Sequence, residues 1–441
     1  MRILIIGAGQ VGYSIAENLS DAHQIVIMDI DPVRVSEITY SLDVLATCGD
    51  GNDLKNLEGI GEVDMIIACT NDDEKNLIAC ESAKLLGDTF TVARVKNSIL
   101  FDSWSRSKGA FGVDFMACSD RLTAEAIVNI AGIPAALDAD SFAEGSVQMA
   151  EFEIRPNSAL IDQTISEADQ FESLTFAAII TDDEIIIPSG STKIPLGSRI
   201  VVIGTPESVQ SFSSTLEPTN NVIKNIVILG GSSIAAETAS IFATRDMPST
   251  LMTPDKDLSL KLAEKLPETV VMCHDVTDLD FLESENITQS NLVVVHLDSD
   301  EETLLVSLLI KQLGIPRIAA VVNSGDYISL FESVGIDVAV NPREVTAEAL
   351  IHFTHNVNTK HVAILDSNRV EILEIEIDSH SKLAGRNVQE ITSKMPSSIV
   401  IGAIVRDGQV LAPRGDTMVQ YEDHIIVLID VAVSDKILKQ L

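Results

Sequence analysis

Basic residues are scarce in this chain of 441 residues, where 30 Lys and Arg stand against 66 Asp and Glu and give a formal net charge of −36 at pH 7. A field of that sign repels phosphate backbones and anionic lipid surfaces, so nucleic acid is not an expected partner. A strong acidic excess is also typical of proteins from salt-adapted organisms, where it maintains solubility. The charge therefore indicates a saline habitat more than it indicates a ligand.

Cysteine is sparse as well, and the five residues contain no CxxC pair. Because they are odd in number and scattered, they argue against a disulfide framework and against a zinc site, and they predict the reducing cytosol as the compartment. They are Cys48, Cys69, Cys80, Cys118 and Cys273.

Long hydrophobic runs are missing too. Runs such as Ser397–Val405 and Ile425–Ile429 fall short of the about 18–20 apolar residues that a membrane-spanning helix needs. Met1–Gly7 has one basic residue and an apolar stretch shorter than a signal-peptide core, so it predicts a first strand. Hydrophobic residues nevertheless make up 46% of the chain, which is ample core material for roughly two to four domains.

What the chain does have is an internal repeat. Segments of the first half recur in the second at a constant offset of 223 residues, the distance from Gly7 to Gly230. One offset shared by separate landmarks indicates a duplication. The matching pairs are Ile3–Gly9 with Ile226–Ser232, Phe111–Asp114 with Val334–Asp337, and Thr123–Ile127 with Thr346–Leu350.

Each half begins with short Val/Ile-rich runs that alternate with amphipathic segments, which is typical of βαβ units and a parallel sheet. Each half then changes to strands separated by turn residues, which predicts a small α+β module. The fold class is therefore α/β, with two Rossmann-like doubly wound parallel-sheet domains, each followed by a small α+β domain. The predicted ranges are 1–137 and 222–357 for the Rossmann-like domains and 138–219 and 358–441 for the α+β domains, with Glu217–Asn221 as the linker between halves.

A complete G-x-G-x-x-G motif, Gly7-Ala8-Gly9-Gln10-Val11-Gly12, directly follows the first predicted strand and opens an amphipathic helix. Gly7 permits the tight turn, Gly9 lets the backbone approach a pyrophosphate, and Gly12 allows close packing of helix on strand. This arrangement places phosphates at the helix N-terminus.

Asp29 ends the second predicted strand, where an acid accepts hydrogen bonds from ribose hydroxyls. A carboxylate there disfavours a 2′-phosphate, so NAD or an adenine nucleotide fits better than NADP. Asp31 is interpreted as a turn residue.

Further strand ends are expected to line the same pocket, because ligands in such sheets lie at the carboxyl ends of the strands. They are the segment Cys48–Gly51 with Asp50, the pair Thr70 and Asn71, and Arg94, whose cation suits bound phosphates. Two alternatives stay open: Asn71 as the cap of a helix whose first turn is acidic, and Arg94 as one half of a surface ion pair.

The second half is weaker at each of these positions. Ser232 replaces the second glycine and Ala235 the third, Met252 and Thr253 stand near the place of Asp29, Leu297 and Asp298 replace Thr70 and Asn71, and Val321 replaces Arg94. The second pocket is either degenerate or specialised for another ligand. His352 and His355 lie three apart on a predicted helix without further ligands, so no metal site is predicted.

With these residues in view, the chain resembles the TrkA family, the peripheral nucleotide-binding components of Trk potassium uptake systems, whose members carry two tandem RCK (regulator of potassium conductance) units. The resemblance covers essentially the whole chain. Its specific parts are Gly7–Gly12, Asp29, Thr70–Glu74 and Ala93–Val95, together with the duplication.

The resemblance implies a regulatory subunit and not an enzyme, with NAD(H) as ligand and ATP or ADP as alternative regulatory ligands. It implies a cytoplasmic homo-oligomeric ring, expected to be a tetramer, that lies on the inner face of the cell membrane through a Trk-type potassium translocator. The nucleotide contacts carried over are Gly7, Ala8, Gly9, Gln10, Val11, Asp29, Thr70, Asn71 and Arg94.

Two other functions share these features. An NAD-dependent oxidoreductase has the same fingerprint but needs an acid or base beside the nicotinamide, and the sequence offers no such constellation. A nucleotide-sensing adaptor for some other transporter or regulator would have the same sequence pattern.

Overall fold

Twice along the chain a six-stranded parallel sheet is followed by a five-stranded antiparallel sheet. The computed structural model describes residues 1–20, 22–107, 110–156, 158–181, 184–216, 225–285, 287–351, 359–365, 370–378, 381, 383–393 and 399–430. The predicted linker Glu217–Asn221 and the pair His352 and His355 lie outside these residues. Across the described ranges, no helix combines the length and the apolar character that crossing a membrane requires.

The first parallel sheet has the strand order β3-β2-β1-β4-β5-β6. Successive residues such as Ile3 and Leu4 are both buried, because helices cover both faces of the sheet. Its strands are β1 Arg2–Ile6, β2 Gln24–Asp29, β3 Leu45–Cys48, β4 Met65–Ala68, β5 Phe90–Val95 and β6 Phe115–Cys118. Its helices are α1 Gln10–Leu19, α2 Pro32–Ser41, α3 Leu54–Ile60, α4 Asp73–Leu86, α5 Ser98–Arg106 and α6 Ser119–Ala131.

The first antiparallel sheet has the order β10-β9-β11-β8-β7. Its strands are β7 Ala136–Phe142, β8 Val147–Glu153, β9 Leu174–Ile180, β10 Ile185–Ile186 and β11 Arg199–Gly204, and its helices are α7 Ile165–Ala168 and α8 Pro206–Leu216. β10 is only two residues long, and β7 forms the other edge of the sheet.

The second parallel sheet repeats the topology of the first, in the order β14-β13-β12-β15-β16-β17. Its strands are β12 Ile226–Leu229, β13 Ser249–Thr253, β14 Val270–Cys273, β15 Leu292–Val295, β16 Ile318–Val321 and β17 Val338–Val340. Its helices are α9 Ser233–Thr244, α10 Lys256–Lys265, α11 Leu279–Ser284, α12 Asp300–Gln312, α13 Ile328–Ser333 and α14 Pro342–Ile351.

The second antiparallel sheet has the order β18-β19-β22-β20-β21. Its strands are β18 Thr359–Leu365, β19 Val370–Glu376, β20 Ile399–Arg406, β21 Gln409–Leu411 and β22 His424–Asp430, with the helix α15 Val388–Thr392. The predicted duplication and the α/β fold class are confirmed, because both halves present the same pair of sheets in the same order.

The chain divides into two compact units, each of which combines equivalent parts of the two halves. One unit is Met1–Ile127 with Lys224–Thr354, and it contains both parallel sheets. The other is Val128–Ile223 with His355–Leu441, and it contains both antiparallel sheets. β7 spans the predicted boundary between residues 137 and 138. The four domain ranges themselves stay a prediction.

Within each unit the two halves share a hydrophobic core. Leu350 and Ile351 of α14 bury against Val11 and Ile15 of α1 in the first unit. In the second unit, apolar side chains of β7, β8 and β11 pack with those of β19, β20 and β22.

Candidate functional site

The glycine-rich loop between β1 and α1 is built as its sequence predicts. Gly7 has a φ of +109°, a conformation that side chains rarely adopt, and a Cβ there would lie 3.0 Å from the backbone nitrogen of Thr70. A Cβ at Gly12 would collide with the carbonyl oxygen of Gly7. At Gly9, by contrast, the nearest atom would be Nη1 of Arg34 at 3.9 Å. The first and third glycines therefore serve packing, while the second leaves the surface of the loop open.

The N-terminus of α1 is open as well. Gly9 is the N-cap, no side chain of the described residues caps the helix, and its first turn contains no acid. Gln10, the first helical residue, is exposed, whereas Val11 is buried. Because the first N–H groups of a helix have no intrahelical acceptor and carry a partial positive charge, this end is suited to bind an anion.

Asp29, at the end of β2, lies directly beside this loop and is buried. Its Oδ2 accepts the backbone N–H of Ala8 at 2.6 Å, and its Oδ1 accepts that of Asp31 at 2.9 Å. Each carboxylate oxygen retains acceptor capacity for a hydroxyl. Asp31 itself is the N-cap of α2, where it accepts the N–H of Val33 at 2.9 Å.

Arg94, at the end of β5, is a buried cation held by neutral acceptors. Its Nε donates to Oγ of Ser119 at 3.0 Å, and its Nη1 donates to the carbonyl oxygen of Thr70 at 3.4 Å and to Oδ1 of Asn71 at 3.3 Å. Burial lowers the pKa of Arg94 below its ordinary value. Among the described residues no carboxylate lies within ion-pair distance, so the alternative of a surface ion pair is wrong.

The cap of α4 is Asp72 and not Asn71, which corrects the open alternative from the sequence. Asp72 accepts the N–H of Lys75 at 3.1 Å, and this bond with the amide lowers the pKa of Asp72. Asn71 stands one residue ahead of the cap, where its side chain turns to Arg94. The carboxylate of Asp73 accepts the backbone N–H groups of residues 96 and 97 and so ties α4 to the loop after β5.

Asn76 positions both Thr70 and Arg94, and sequence reasoning missed it. Its Oδ1 accepts the N–H and the hydroxyl of Thr70 at 2.9 and 2.6 Å, and its Nδ2 donates to the carbonyl oxygens of Thr70 and Arg94 at 3.1 and 2.8 Å. The side chain is fully buried. A polar residue one turn into an otherwise amphipathic helix was the available signal.

Asp50 and Arg34 lie at the exposed rim of this region. Asp50 follows β3, and its Oδ1 accepts the N–H of Asn52 at 3.0 Å. Arg34, also missed by sequence reasoning, lies near Gly9 and forms a 3.8 Å ion pair with Asp31. Its signal in the sequence is a basic residue in the first turn of the helix that follows Asp29.

The loop of the second half is closed by its own side chains. Ser232 caps α9 by accepting the N–H of Ala235 at 3.1 Å, and its hydroxyl is 2.7 Å from Nδ1 of His296. Burial lowers the pKa of His296. A Cβ at Gly231, the counterpart of Ala8, would meet the side chains of Leu258 and Thr253.

The other predicted replacements occupy equivalent places. Leu229 pairs with Met252 as Ile6 pairs with Met28, so Thr253 stands in the position of Asp29. The N–H of Leu297 donates to Oγ1 of Thr303 at 3.1 Å, the counterpart of the bond from Thr70 to Asn76.

A contact between the two Rossmann-like domains also reaches α9. Asp120, in the first turn of α6, accepts a hydrogen bond from the hydroxyl of Ser233, the first residue of α9. Asp120 is buried, and burial raises its pKa. A carboxylate thus lies at the N-terminus of α9, where the corresponding end of α1 carries no acid.

Comparison with known proteins gives the same organisation. The TrkA-N domain matches residues 3–108 and 226–342, and the TrkA-C domain matches residues 149–217 and 372–441. Fold and site thus define a chain of two tandem units, each a TrkA-N domain followed by a TrkA-C domain.

The relatives extend this match to the full length. The Trk system potassium uptake protein TrkA homolog 1 of Methanosarcina mazei is 34% identical over 436 residues and 97% of both chains. The Archaeoglobus fulgidus homolog is 32% identical over 429 residues, again 97% of both, and TrkA of Vibrio alginolyticus is 29% identical over 446 residues, 97% of this chain and 96% of its own. The chain belongs to the TrkA family of Trk system potassium uptake proteins.

Solved structures share the fold at lower identity. The GsuK RCK domain has a TM-score of 0.61 and 17% identity over 100% of this chain and 95% of its own. The GsuK channel bound to NAD has a TM-score of 0.61 and 18% identity over 100% of this chain and 79% of its own.

Proposed function

We propose that this chain is the regulatory subunit of a Trk-type potassium uptake system, that it binds NAD(H) or an adenine nucleotide in its first Rossmann-like domain, and that it gates a membrane translocator by conformational change. Its family supports the transport context, since its relatives are named potassium uptake proteins. We propose no enzymatic activity. Burial raises the pKa of Cys69, the thiol beside the glycine-rich loop, to about 12, so that thiol stays protonated and is a poor nucleophile.

The buried guanidinium of Arg94 is the observation that carries the proposal. An arginine stays charged at neutral pH, and a buried charge without a counter-ion is unfavourable. Arg94 has only neutral hydrogen-bond acceptors among the described residues, although the charges of Asp73 and Asp120 act on it from further away. It contacts Thr70, whose backbone adjoins Gly7 at the start of the loop that leads to the uncapped end of α1. An anionic ligand between Arg94 and this helix end would be stabilised by both.

The choice of ligand rests on Asp29 and on the fold. A carboxylate at the end of the second strand is suited to the ribose hydroxyls of NAD or of an adenine nucleotide. The GsuK channel, which shares the fold, is described bound to NAD, and GsuK is also described bound to ADP. The proposed contacts are Gly7, Ala8, Gly9, Gln10, Val11, Gly12, Asp29, Asp50, Thr70, Asn71 and Arg94.

Gating requires that the nucleotide bind one arrangement of the subunit more tightly than another. Affinity ratios of about 5–150-fold, or ~1–3 kcal/mol, are usual for such coupling. The proposed assembly is a homotetrameric ring. Its translocator would hold it at the inner face of the cell membrane. In a symmetric ring, one ligand type acts at several equivalent sites together.

Calorimetric titration of NADH, NAD, ATP and ADP tests the binding step. We expect saturable binding that weakens about 10–100-fold in Arg94→Gln, because a charge-assisted hydrogen bond to phosphate contributes ~1.5–3 kcal/mol. Arg121→Gln is the matched control, since Arg121 is a half-buried arginine of the same domain that pairs with Glu125 at 3.0 Å. Wild-type protein that binds none of the four nucleotides would overturn the proposal.

Gating is tested separately. The translocator from the same genome is reconstituted in vesicles, and potassium flux is measured with and without this chain and each nucleotide. Flux that depends on both supports regulation, whereas unchanged flux contradicts it. Alcohols and hydroxy acids are assayed with NAD in parallel, and turnover would favour a dehydrogenase instead.

A further inference from the structure

We propose that Arg343, on α14 of the second Rossmann-like domain, contacts the distal phosphates of a nucleotide bound in the first, so that a nucleoside polyphosphate is held by both domains. This inference rests on the proposed function, because it names a further contact of the same site. It concerns the distal phosphates of the nucleotide, which lie further from the ribose than the phosphate at the glycine-rich loop.

The packing of the two domains brings α14 to the loop. α14 and α1 share one core, in which Leu350 contacts the cluster formed by Val11 and Ile15. α14 therefore packs on the helix of the first domain whose N-terminus is proposed to bind phosphate.

The internal repeat tells which ends of these helices meet. Asp120 and Ser233 join the N-terminus of α6 to that of α9 by a hydrogen bond. Their counterparts at the offset of 223 residues are Arg343 and Gln10, the second residue of α14 and the first residue of α1. By this pseudo-symmetry, Arg343 lies at the open end of α1, where the phosphates are proposed to bind.

The guanidinium of Arg343 is available there. The side chain is exposed, and its Nη1 donates to the carbonyl oxygen of Asn323 at 3.0 Å, which anchors it to the loop after β16. Among the described residues it forms no ion pair.

Arg343 is also close enough to Arg94 for their charges to interact. Burial is the main cause of the lowered pKa of Arg94, and the positive charge of Arg343 lowers it further. The negative charges of Asp73 and Asp120 act on Arg94 in the opposite direction. Among the described residues neither arginine forms an ion pair, so an anion between them would be stabilised by both. Phosphate, which accepts the planar guanidinium in a bidentate fashion, has the matching geometry.

The equivalent position in the other domain carries the opposite charge. Asp120 places a carboxylate at the N-terminus of α9, and the hydroxyl of Ser233 already satisfies it. A phosphate at that end would be repelled. The exchange of Asp for Arg between the two copies thus directs the anion to the first pocket, and one nucleotide per chain follows.

The dependence of affinity on phosphate number tests this inference. AMP, ADP and ATP are titrated by calorimetry into wild-type protein, Arg343→Gln and Lys256→Gln, the last of which removes an exposed charge from α10 of the same domain. We expect Arg343→Gln to weaken ATP about 10-fold, from one lost charge-assisted contact, and AMP less than about 2-fold. Arg343→Lys should fall between wild-type protein and Arg343→Gln, and Lys256→Gln should match wild-type protein.

The outcomes separate the two proposals. Equal losses for AMP and ATP in Arg343→Gln, or no loss for either, would overturn the contact while leaving the proposed function standing. Two bound nucleotides per wild-type chain would also contradict it. Wild-type protein that binds no nucleotide would overturn the proposed function itself. An unchanged thermal unfolding midpoint of Arg343→Gln confirms that the variant is folded.

Discussion

The carboxylate of Asp29 accepts the backbone N–H of Ala8 over 2.6 Å, and so fastens the glycine-rich loop to the end of the neighbouring strand. The residue that sequence reasoning assigns to the ribose thus also holds the loop in place before any ligand is bound. Binding and preorganisation are carried by one side chain, because both oxygens of a carboxylate accept more than one hydrogen bond.

We expect Asp29→Asn to lower both stability and nucleotide affinity. The amide has one acceptor oxygen where two backbone N–H groups now donate, so the free energy of unfolding should fall by about 1–2 kcal/mol. Affinity for NADH should fall at least ~10-fold, since the ribose loses a charged acceptor. Denaturant titration and calorimetry measure the two effects. Asp31→Ser, which keeps a capping hydroxyl on α2, is the control, and equal affinities of the two variants would refute the assignment.

Gly9→Ala and Gly12→Ala should separate binding from folding. A Cβ at Gly9 meets only the end of the Arg34 side chain, whereas a Cβ at Gly12 collides with the backbone of Gly7. We expect Gly9→Ala to keep the wild-type unfolding midpoint but bind nucleotide at least ~10-fold more weakly, because the methyl group lies on the open face of the loop. Gly12→Ala should lose several kcal/mol of stability. Normal nucleotide affinity in Gly9→Ala would show that the ligand does not approach this loop.

Asn76→Ala should destabilise the first Rossmann-like domain by about 2–4 kcal/mol, because it leaves buried partners of four hydrogen bonds unsatisfied. Asn76→Thr copies Thr303 of the second half, which accepts the N–H of Leu297, and it should lose roughly half as much. Chemical denaturation of both variants gives the comparison. If Asn76→Thr is no better than Asn76→Ala, the amide does not act through Thr70.

The parallel sheets were predictable because their strands are buried on both faces and appear as short apolar runs between helices. The edge strand β7 was missed for the opposite reason: Asp138 and Asp140 interrupt its apolar pattern, and they lie opposite Glu151 and Met149 of β8. β7 pairs with β8, the next strand along the chain, and its buried Phe142 packs in a core that includes Leu428 of the second half. Periodicity within the strand does not reveal such packing.

The candidate site, like the fold, was predictable only in part. The glycine positions and Asp29 follow from the motif, since each has a fixed place in a strand, turn and helix. Three features were not predictable: the cap of α4, the role of Asn76 and the approach of Arg343. They depend on side-chain conformations and on the packing of helices, which the spacing of residues in the sequence does not reveal. The internal repeat also carries information about the site, because each residue that the second copy has lost marks a position of interest in the first.

The antiparallel unit should show a stability that falls as pH rises. Burial raises the pKa of Asp138 from 3.8 to about 7, and the negative charges of Glu151 and Asp140 add to this. The folded state therefore retains a proton that the unfolded state has released, so this contribution to stability is full below about pH 4 and lost as pH rises through about 7.

Asp138→Asn should remove this dependence. Its free energy of unfolding should change by about 1–2 kcal/mol less than that of wild-type protein between pH 5 and 8, because the half-buried side chain is partly screened by solvent. Denaturant titrations at several pH values measure it. Asp162→Asn removes an exposed carboxylate of the same unit and should follow wild-type protein. Parallel curves for Asp138→Asn and wild-type protein would contradict the assignment.

Each of the two hydrophobic cores combines equivalent parts of the two halves, and this affects the order in which the chain can fold. Val11 shares a core with Leu350, and Phe142 shares one with Leu428, so neither core is complete until nearly the whole chain has been synthesised. Contacts so distant in sequence slow folding and leave apolar faces exposed meanwhile. A chain that ended after α8 would carry both faces without their partners. The surfaces best shaped to cover them belong to another copy of the same half, which would replace the internal repeat by a true two-fold dimer.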